Sequence, residues 1–245
     1  MDEYGLLAED YDYLNPKAEI YKQKPFFCTL MNRYEIKSVL DCACGTGWHL
    51  VMLDELGLEC CGSDLSAAML AQARKNTLGR DIPLRQGDYR ELAQVWDRKF
   101  DLIICMANSF RHMLTPDDTR AALGSMFEQL NPGGVLLIDN GYSDTLIDSR
   151  PKVLPGRLHR DQAFYFVMEY PNDREIVFTI LHVRRHLDSF QHRYDVVRLN
   201  TMRRAQYEAL FAESPFARTT FWGDFSTSPH CPERSPRLIM AAEKE

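Results

Sequence analysis

A short apolar segment at residues 39–42 leads directly into two glycines one residue apart, Gly45 and Gly47, and an apolar helical pattern resumes at Leu50. This order of strand, glycine turn and helix lets the backbone approach a ligand closely, because glycine has no side chain and a helix N-terminus offers unpaired amides. A dinucleotide fingerprint would need a third glycine where Leu50 stands, and the lysine of a P-loop is missing as well. The feature therefore predicts a ligand-binding α/β unit and disfavours a dinucleotide or a nucleoside triphosphate as its ligand.

Short apolar strands and helical segments alternate from residue 38 to residue 139. The predicted strands are 38–42, 59–64, 83–86, 100–106 and 135–139, and the predicted helices are 48–56, 66–77 and 116–130. The sequence Asn-Pro-Gly-Gly at residues 131–134 is expected to stop the chain before the fifth strand. Such alternation predicts a parallel sheet with helices on both faces, and a ligand outside the carboxyl ends of its strands.

The pattern changes to a period of two after residue 140, with a turn at residues 171–173, which favours antiparallel strands joined by hairpins. A helix over residues 202–212 and two strands, 219–222 and 237–242, are predicted to follow. We therefore expect an N-terminal helical lid (residues 1–37), a core (38–140), a β-rich insertion that contributes to the acceptor site (141–200), and a closing helix and strands (201–245).

An acid stands at the end of each of the first three predicted strands: Asp41, Asp64 and Asp88. Together with the glycine turn, these acids resemble the class I S-adenosylmethionine-dependent methyltransferases. The resemblance implies a Rossmann-like seven-stranded sheet that uses S-adenosyl-L-methionine and releases S-adenosyl-L-homocysteine.

Composition narrows the partners of the chain. Its 245 residues are 45% hydrophobic, enough for one domain with a sizeable insertion, and its net charge of −6 opposes a nucleic-acid partner. The acidic start at residues 1–4 precedes no apolar run, and no segment has the ~20 apolar residues of a membrane span, so we expect a cytoplasmic protein without a membrane partner. The seven cysteines are expected to be reduced core thiols, and their spacing predicts no metal site.

Each part of the cofactor has candidate partners. The amides of Gly45, Thr46 and Gly47 suit its amino-acid tail and ribose edge. Asp64 can accept both ribose hydroxyls, and Asp88 with Tyr89 can bind and cover the adenine. The predicted cofactor set is completed by Tyr21, Ala43, Leu65, Met69 and Met106.

The segment at residues 105–112, Cys-Met-Ala-Asn-Ser-Phe-Arg-His, resembles the corresponding stretch of glycine and sarcosine N-methyltransferases, as do residues 130–140 and 223–225. That resemblance places Asn108 and His112 beside the transferred methyl group, with His112 as general base. Residues 8–12 and 206–211 resemble the nucleotide-linked amino-sugar N-methyltransferases instead. Tyr11 is predicted to seat the acceptor or to face the sulfonium through its ring.

One departure bears on the acceptor. The glycine enzymes carry an arginine two residues after the acid that ends strand five, where it holds the substrate carboxylate, and here that position is Gly141. Glycine cannot replace a bidentate charge clamp, so glycine and sarcosine are expected to be poor acceptors. An arginine of the insertion is a candidate substitute: Arg150, Arg157, Arg160 or Arg174.

The sequence therefore predicts an S-adenosylmethionine-dependent N-methyltransferase of a small amine, catalysed by His112, Asn108 and Tyr11. Three alternatives stay open: O-methylation of a small alcohol or acid, a cofactor-binding module without turnover, and a nicotinamide oxidoreductase, which Leu50 disfavours. The sequence does not fix the acceptor or the number of methylations, and it leaves open a homo-oligomer.

Overall fold

The computed structural model describes residue 5 and residues 7–245. The acidic start at residues 1–4 and part of the predicted lid therefore lie outside the described residues. The described N-terminal part forms a 3-10 turn at Ala8–Asp10 and three helices: α1 (Tyr11–Leu14), α2 (Lys17–Tyr21) and α3 (Lys24–Tyr34). Phe26, Phe27 and Leu30 of α3 are buried against the core, so this part of the chain is packed onto the main sheet.

A seven-stranded sheet forms the centre of the molecule, in the order β10-β11-β5-β4-β1-β2-β3. Its strands are β1 (Ser38–Asp41), β2 (Glu59–Asp64), β3 (Leu84–Gln86), β4 (Phe100–Cys105), β5 (Leu130–Asn140), β10 (Arg218–Trp222) and β11 (Leu238–Glu243). Strands β1–β5 pair in parallel, whereas β11 runs antiparallel to both β5 and β10. The predicted Rossmann-like sheet is confirmed.

Helices cover both faces of this sheet: α4 (Trp48–Asp54), α5 (Ala67–Asn76), α6 (Leu92–Val95), α7 (Pro116–Gln129) and α9 (Arg204–Ala212). Successive residues of a strand point to opposite faces, and the apolar side chains divide accordingly. Leu40 and Ile103 enter one apolar layer, while Val39 and Leu102 enter the other. All four side chains are fully buried.

The strand order reverses between β1 and β4. The chain proceeds from β1 to β2 and β3 on one side, then crosses back to β4 and β5 on the other. Connections leave the neighbouring strands β1 and β4 in opposite directions, which opens a crevice at their carboxyl ends.

A second, antiparallel sheet of four strands follows the short helix α8 (Asp144–Ser149). Its order is β6 (Val153–His159), β7 (Gln162–Asn172), β8 (Glu175–His186) and β9 (Ser189–Asn200). One face is buried around Phe164, Ile176 and Leu199, and Tyr142 and Ile147 pack into the same cluster. The sequence did not predict β6, because its mainly exposed residues include Pro155 and Gly156 and show no period of two.

Strand five differs from its predicted bounds. It was expected to begin at Val135, whereas β5 begins at Leu130 and includes the predicted stop at residues 131–134. The pairing explains the difference, because Phe100 faces Leu130 while Leu102 already faces Val135, so the intervening residues form an irregularity within the strand. Among the described residues, no helix has the length and apolarity required to cross a membrane.

Candidate active site

A cavity of about 660 Å³ lies at the carboxyl ends of β1, β2 and β4. Its volume is in the range of small-molecule and cofactor sites. The glycine turn forms one wall, the N-terminal helices contribute Tyr11, Asn15 and Ile20, and Arg198 reaches it from the second sheet. The cavity is therefore bordered by the seven-stranded sheet, the N-terminal helices and the insertion.

Most of the predicted site residues line this cavity: Tyr11, Ala43, Gly45, Thr46, Asp64, Leu65, Met69, Asp88, Tyr89, Met106 and His112. Three others, Tyr21, Gly47 and Asn108, are not among its lining residues. Tyr21 instead packs under Lys17, whose Nζ lies 4.9 Å from the ring centroid, and Ile20 of the same helix faces the cavity.

The glycine turn is braced by its own hydrogen bonds. The amide of Gly45 donates to Asp64 Oδ2 at 2.8 Å, and the amide of Gly47 donates to the Cys44 carbonyl at 2.8 Å. Only the Thr46 amide of the predicted trio lacks a hydrogen-bond partner among the described residues. The turn thus offers a ligand fewer amides than the sequence suggested.

The two glycines serve different purposes. Gly45 has φ of +52° and open space where a Cβ would stand, so its surface is available to a ligand. Gly47 has φ of +85°, and a Cβ there would meet Ala73 at 3.3 Å. Gly47 therefore allows the close packing of α4 on α5.

Asp64 ends β2 with both carboxylate oxygens fixed. Oδ2 accepts the Gly45 amide and Oδ1 accepts the Ser66 amide at 2.8 Å. These contacts orient a carboxylate that lines the cavity, and an ionised carboxylate is an acceptor-only group of the kind that suits a ribose diol. These contacts, the open surface at Gly45 and the cavity volume fit a nucleoside cofactor such as S-adenosylmethionine.

Asp41 ends β1 only 1% exposed and accepts the Ala43 amide at 3.2 Å. Burial raises the pKa of this carboxyl to about 8, with a smaller contribution from the nearby Asp64. Asp41 is therefore predominantly a neutral acid at pH 7.

The strand-three acid is held by an arginine. Asp88 accepts from the backbone amide of Arg90 at 2.9 Å and from its guanidinium at 2.7 Å. The neighbouring Tyr89 donates its hydroxyl to the Ser109 carbonyl at 2.9 Å, and burial raises its pKa well above the usual range. Tyr89 thereby connects the turn after β3 to the segment after β4.

That segment is strained. Ala107 and Asn108 both have positive φ, at +55° and +68°. The Asn108 amide donates to the Asp139 carbonyl at 3.0 Å, and the Ala107 amide contacts the Asp139 carboxylate at 3.3 Å. Strain of this kind persists only where neighbouring contacts enforce it, and it concentrates at functional sites.

Gly141 lies directly beside this segment. A Cβ there would stand 3.0 Å from Asn108 Nδ2 and 3.0 Å from Arg237 Nη2. The Arg237 guanidinium is engaged by both oxygens of the buried Asp139, at 3.0 and 2.7 Å. The structure therefore leaves no room for an arginine side chain at position 141 without displacing one of these neighbours.

His112 ends the 3-10 turn Ser109–His112 and faces the cavity. The preceding Arg111 is fully buried and donates to the carbonyls of Tyr142 (2.9 Å), Asn200 (3.1 Å) and Met202 (3.1 Å). Tyr142 precedes the first strand of the second sheet, and Asn200 ends its last strand. Arg111 therefore joins the His112 turn to both ends of the insertion.

Tyr11 enters the cavity between two anchored acids. Asp10 forms an ion pair with Arg193 of β9, while Asp12 accepts the Thr46 hydroxyl at 2.6 Å and the Asn76 amide at 3.0 Å. Burial, together with Asp64 and Asp12, raises the pKa of Tyr11 to about 12. The phenol therefore remains protonated at physiological pH.

Three residues of this region were not predicted from the sequence. Arg111 and Arg198 belong to no motif, because a buried arginine and a surface arginine look alike in sequence. His49 follows Gly47 by two residues, and no pattern distinguishes it from the rest of its helix. Its Nε2 lies 3.1 Å from Gln23 Oε1, and burial lowers its pKa to about 4, so the ring is neutral.

The fold and the cavity define an α/β enzyme with a nucleoside-type cofactor site, and comparisons with known proteins make the class specific. Residues 39–134 match the family described as a methyltransferase domain. A dTDP-3-amino-3,4,6-trideoxy-alpha-D-glucopyranose N,N-dimethyltransferase from Streptomyces venezuelae is 32% identical over 184 residues, which cover 72% of this chain and 74% of that enzyme.

A glycine/sarcosine N-methyltransferase from Parasynechococcus marenigrum is 37% identical over 145 residues, or 58% of this chain. The matched part spans about half (51%) of that relative. The crystal structure of an S-adenosylmethionine-dependent methyltransferase from Clostridium acetobutylicum shares the fold with a TM-score of 0.82 at 19% identity, covering 98% of both chains. The chain belongs to the S-adenosylmethionine-dependent methyltransferase family.

Proposed function

We propose that this protein transfers a methyl group from S-adenosylmethionine to the nitrogen of a small amine. The observation that carries the proposal is that His112 lines the same cavity as Gly45 and Asp64, on a turn that follows β4. His112, the proposed proton acceptor, thus lines one cavity together with the residues proposed to bind the cofactor. The named relatives act on nitrogen, in glycine or sarcosine and in an amino sugar.

The cofactor side of the cavity has defined roles in this proposal. Asp64 accepts from the ribose hydroxyls, and Gly45 and Ala43 allow close approach of the amino-acid tail. Asp88 and Tyr89 border the adenine, with Leu65, Met69 and Met106 as apolar contacts. The bound cofactor supplies an electrophilic methyl group on a sulfonium centre.

The acceptor side supplies a base and a positioned ring. An alkylamine is mostly ammonium at neutral pH, so it must lose a proton before its nitrogen can attack, and His112 is placed to accept that proton. Tyr11 cannot serve as this base, because its phenol is protonated at neutral pH with a pKa of about 12. Its ring and hydroxyl instead orient the reactants, and such positioning accounts for up to ~7–11 kcal/mol of a barrier.

The test uses the whole protein, S-adenosylmethionine and a panel of small amines, with the corresponding alcohols and acids as comparison. We expect S-adenosylhomocysteine and an N-methylated product with at least one amine. Asp64→Ala should weaken cofactor binding by roughly 1.5–3 kcal/mol, the scale of hydrogen bonds to a charged group. The exposed Asp81→Ala variant is its control. Methylation of the alcohols or acids alone would favour O-transfer, and binding without turnover would favour a non-catalytic module.

The seven cysteines are free thiols in the structure. They support our further proposal that the enzyme works in the reducing environment of the cytoplasm.

A further inference from the structure

Two arginines of the described residues line the cavity, Arg90 and Arg198, and their surroundings differ. The Arg90 guanidinium is bound by two carboxylates, with contacts of 2.7–3.1 Å to Asp88 and of 2.8 Å to Asp118. Its charge is compensated inside the protein, so Arg90 serves to hold Asp88 and α7.

Among the residues that the structure describes, Arg198 has a single carboxylate partner. Its Nε lies 2.5 Å from Glu175 Oε1 on the neighbouring strand β8, and its side chain is 61% exposed. The structure shows no protein partner for its two terminal nitrogens among the described residues. Those nitrogens form one edge of the guanidinium, and that edge matches a carboxylate or phosphate in a bidentate geometry.

Arg198 shares a face of β9 with Asn200, because residues two apart on a strand point the same way. The Asn200 side-chain amide donates to the Met113 carbonyl at 2.8 Å, and Met113, the preceding His112 and Arg198 line the same cavity. Leu114 lines both this cavity and an adjacent one of about 560 Å³, and Glu175 lines that second cavity. The Arg198–Glu175 pair therefore stands where the two cavities approach each other.

The other arginines considered from sequence are placed differently. Arg150 is paired with Asp173 at 3.0 Å, and Arg174 lines only the adjacent cavity. Arg157 and Arg160 are exposed and line neither cavity. Of the arginines in the insertion, Arg198 is the one that reaches the space occupied by His112.

We propose that Arg198 binds an anionic group of the methyl acceptor and that Glu175 positions its guanidinium. This inference rests on the proposed N-methyltransferase function. Since Arg198 lies on β9 and His112 on the turn after β4, the proposed acceptor carries its amine at one end and its carboxylate or phosphate at the other.

The experiment compares matched acceptors by the rate of S-adenosylhomocysteine release. One arm sets 4-aminobutanoate and 6-aminohexanoate against butylamine and hexylamine, and a second arm sets glucosamine 6-phosphate against glucosamine. We expect the parent enzyme to prefer the member that carries a carboxylate or phosphate in at least one arm, and that arm identifies the anionic group. Arg198→Met should lower kcat/KM for that acceptor by about 10- to 100-fold, chiefly through KM, and leave the counterpart without the anionic group unchanged.

Three further variants sharpen the result. Arg198→Lys keeps a charge without the bidentate edge and should recover part of the preference, and Glu175→Gln should weaken it less than Arg198→Met does. Arg184→Met removes an exposed arginine from the opposite end of β8 and should change neither acceptor.

Equal turnover by the parent of acceptors with and without the anionic group would overturn the role of Arg198 and leave N-methylation intact. The role of Arg198 is also overturned if Arg198→Met slows both members of a pair equally, since that is a structural effect. If no amine gives product, the proposed function and this inference fail together.

Discussion

At the scale of single residues, His112 is the side chain whose removal should affect chemistry rather than binding. His112→Asn should lower kcat by ~10²–10⁴-fold, the usual contribution of a positioned general base, while cofactor affinity stays near the parental value. Steady-state kinetics and titration calorimetry measure the two quantities separately.

The pH profile of kcat distinguishes a base from a packing residue at this position. A protonated imidazole cannot accept a proton, so the parent should lose activity in acid and the variant should lack that limb. His192→Asn changes an exposed histidine of β9 and serves as the control. A variant with parental kcat and the parental acid limb would exclude His112 as the base.

Asp41 offers a test through stability. Its pKa rises from 3.8 to about 8 on folding, so between these values the folded protein holds a proton that the unfolded chain has lost. The contribution of this group to stability is thus fully present below pH 3.8 and is lost as the pH rises towards 8. Asp41→Asn removes the titration and keeps the shape of the neutral acid.

We expect Asp41→Asn to be close to the parent near pH 4 and to be more stable at pH 8 by up to roughly 5 kcal/mol. Urea unfolding at both pH values measures the difference, with the exposed Asp81→Asn as reference. A variant that is less stable than the parent at pH 8 would show that an ionised Asp41 supports the fold.

At the scale of elements, the glycine turn can be tested against a second turn of similar conformation. Gly45 and Gly57 both have positive φ, +52° and +89°, and both have open space at the Cβ position. Gly45→Val and Gly57→Val should each lose about 1–2 kcal/mol of stability, because a side chain disfavours that backbone region. Only Gly45→Val should lose cofactor binding, since Gly57 lies outside the cavity lining.

Calorimetric titration with S-adenosylmethionine and thermal unfolding of both variants provide the measurements. Loss of binding in both variants would assign the effect to general destabilisation, and retention in both would place the cofactor away from Gly45.

Elements with strong periodicity were predictable, and those determined by tertiary contacts were not. The buried strands β1, β2 and β4 are apolar runs that end in polar or glycine-rich turns, so their positions follow from the sequence. The start of β5 was missed because Asn131, Pro132 and Gly133 are turn residues that the sheet accommodates as an irregularity. No local signal marks β6 either, since its pairing with β7 rather than its own side chains defines it.

At the scale of the whole molecule, three consecutive residues connect the cofactor core to the insertion. Asp10 is bound to Arg193 of the second sheet, Asp12 to Thr46 and Asn76 of the core, and Tyr11 faces the cavity between them. We therefore predict that this segment covers a bound cofactor and that its release requires breaking the Asp12 hydrogen bonds.

Asp12→Ala removes those bonds and should accelerate dissociation of S-adenosylhomocysteine by about 10-fold. Stopped-flow displacement measures the rate, and Glu9→Ala, an exposed acid on the same segment, should leave it unchanged. An unaltered rate in Asp12→Ala would mean that the product leaves by a path that does not involve this segment.

The composition of the candidate site could be anticipated on the cofactor side more than on the acceptor side. Strand-end acids and glycines follow each other along the chain in a fixed order, so sequence alone brings Gly45 and Asp64 together. Arg198 and Asp10 reach the region through the packing of the second sheet, which no local pattern encodes. Tyr21 was predicted to line the cofactor site but is not among the residues that line the cavity. Adjacent residues of one short helix point in different directions, and the hydrophobic pattern of α2 did not show that Ile20 rather than Tyr21 faces the cavity.

The buried Arg111 has a consequence for protein engineering. Its guanidinium joins the His112 turn to carbonyls at Tyr142, Asn200 and Met202, which lie at the two ends of the insertion. A chimaera that grafts the insertion of a relative onto this core inherits new carbonyl positions at both junctions. We therefore expect that an exchange of the insertion between relatives succeeds only when both junctions are transplanted together with the arginine that binds them.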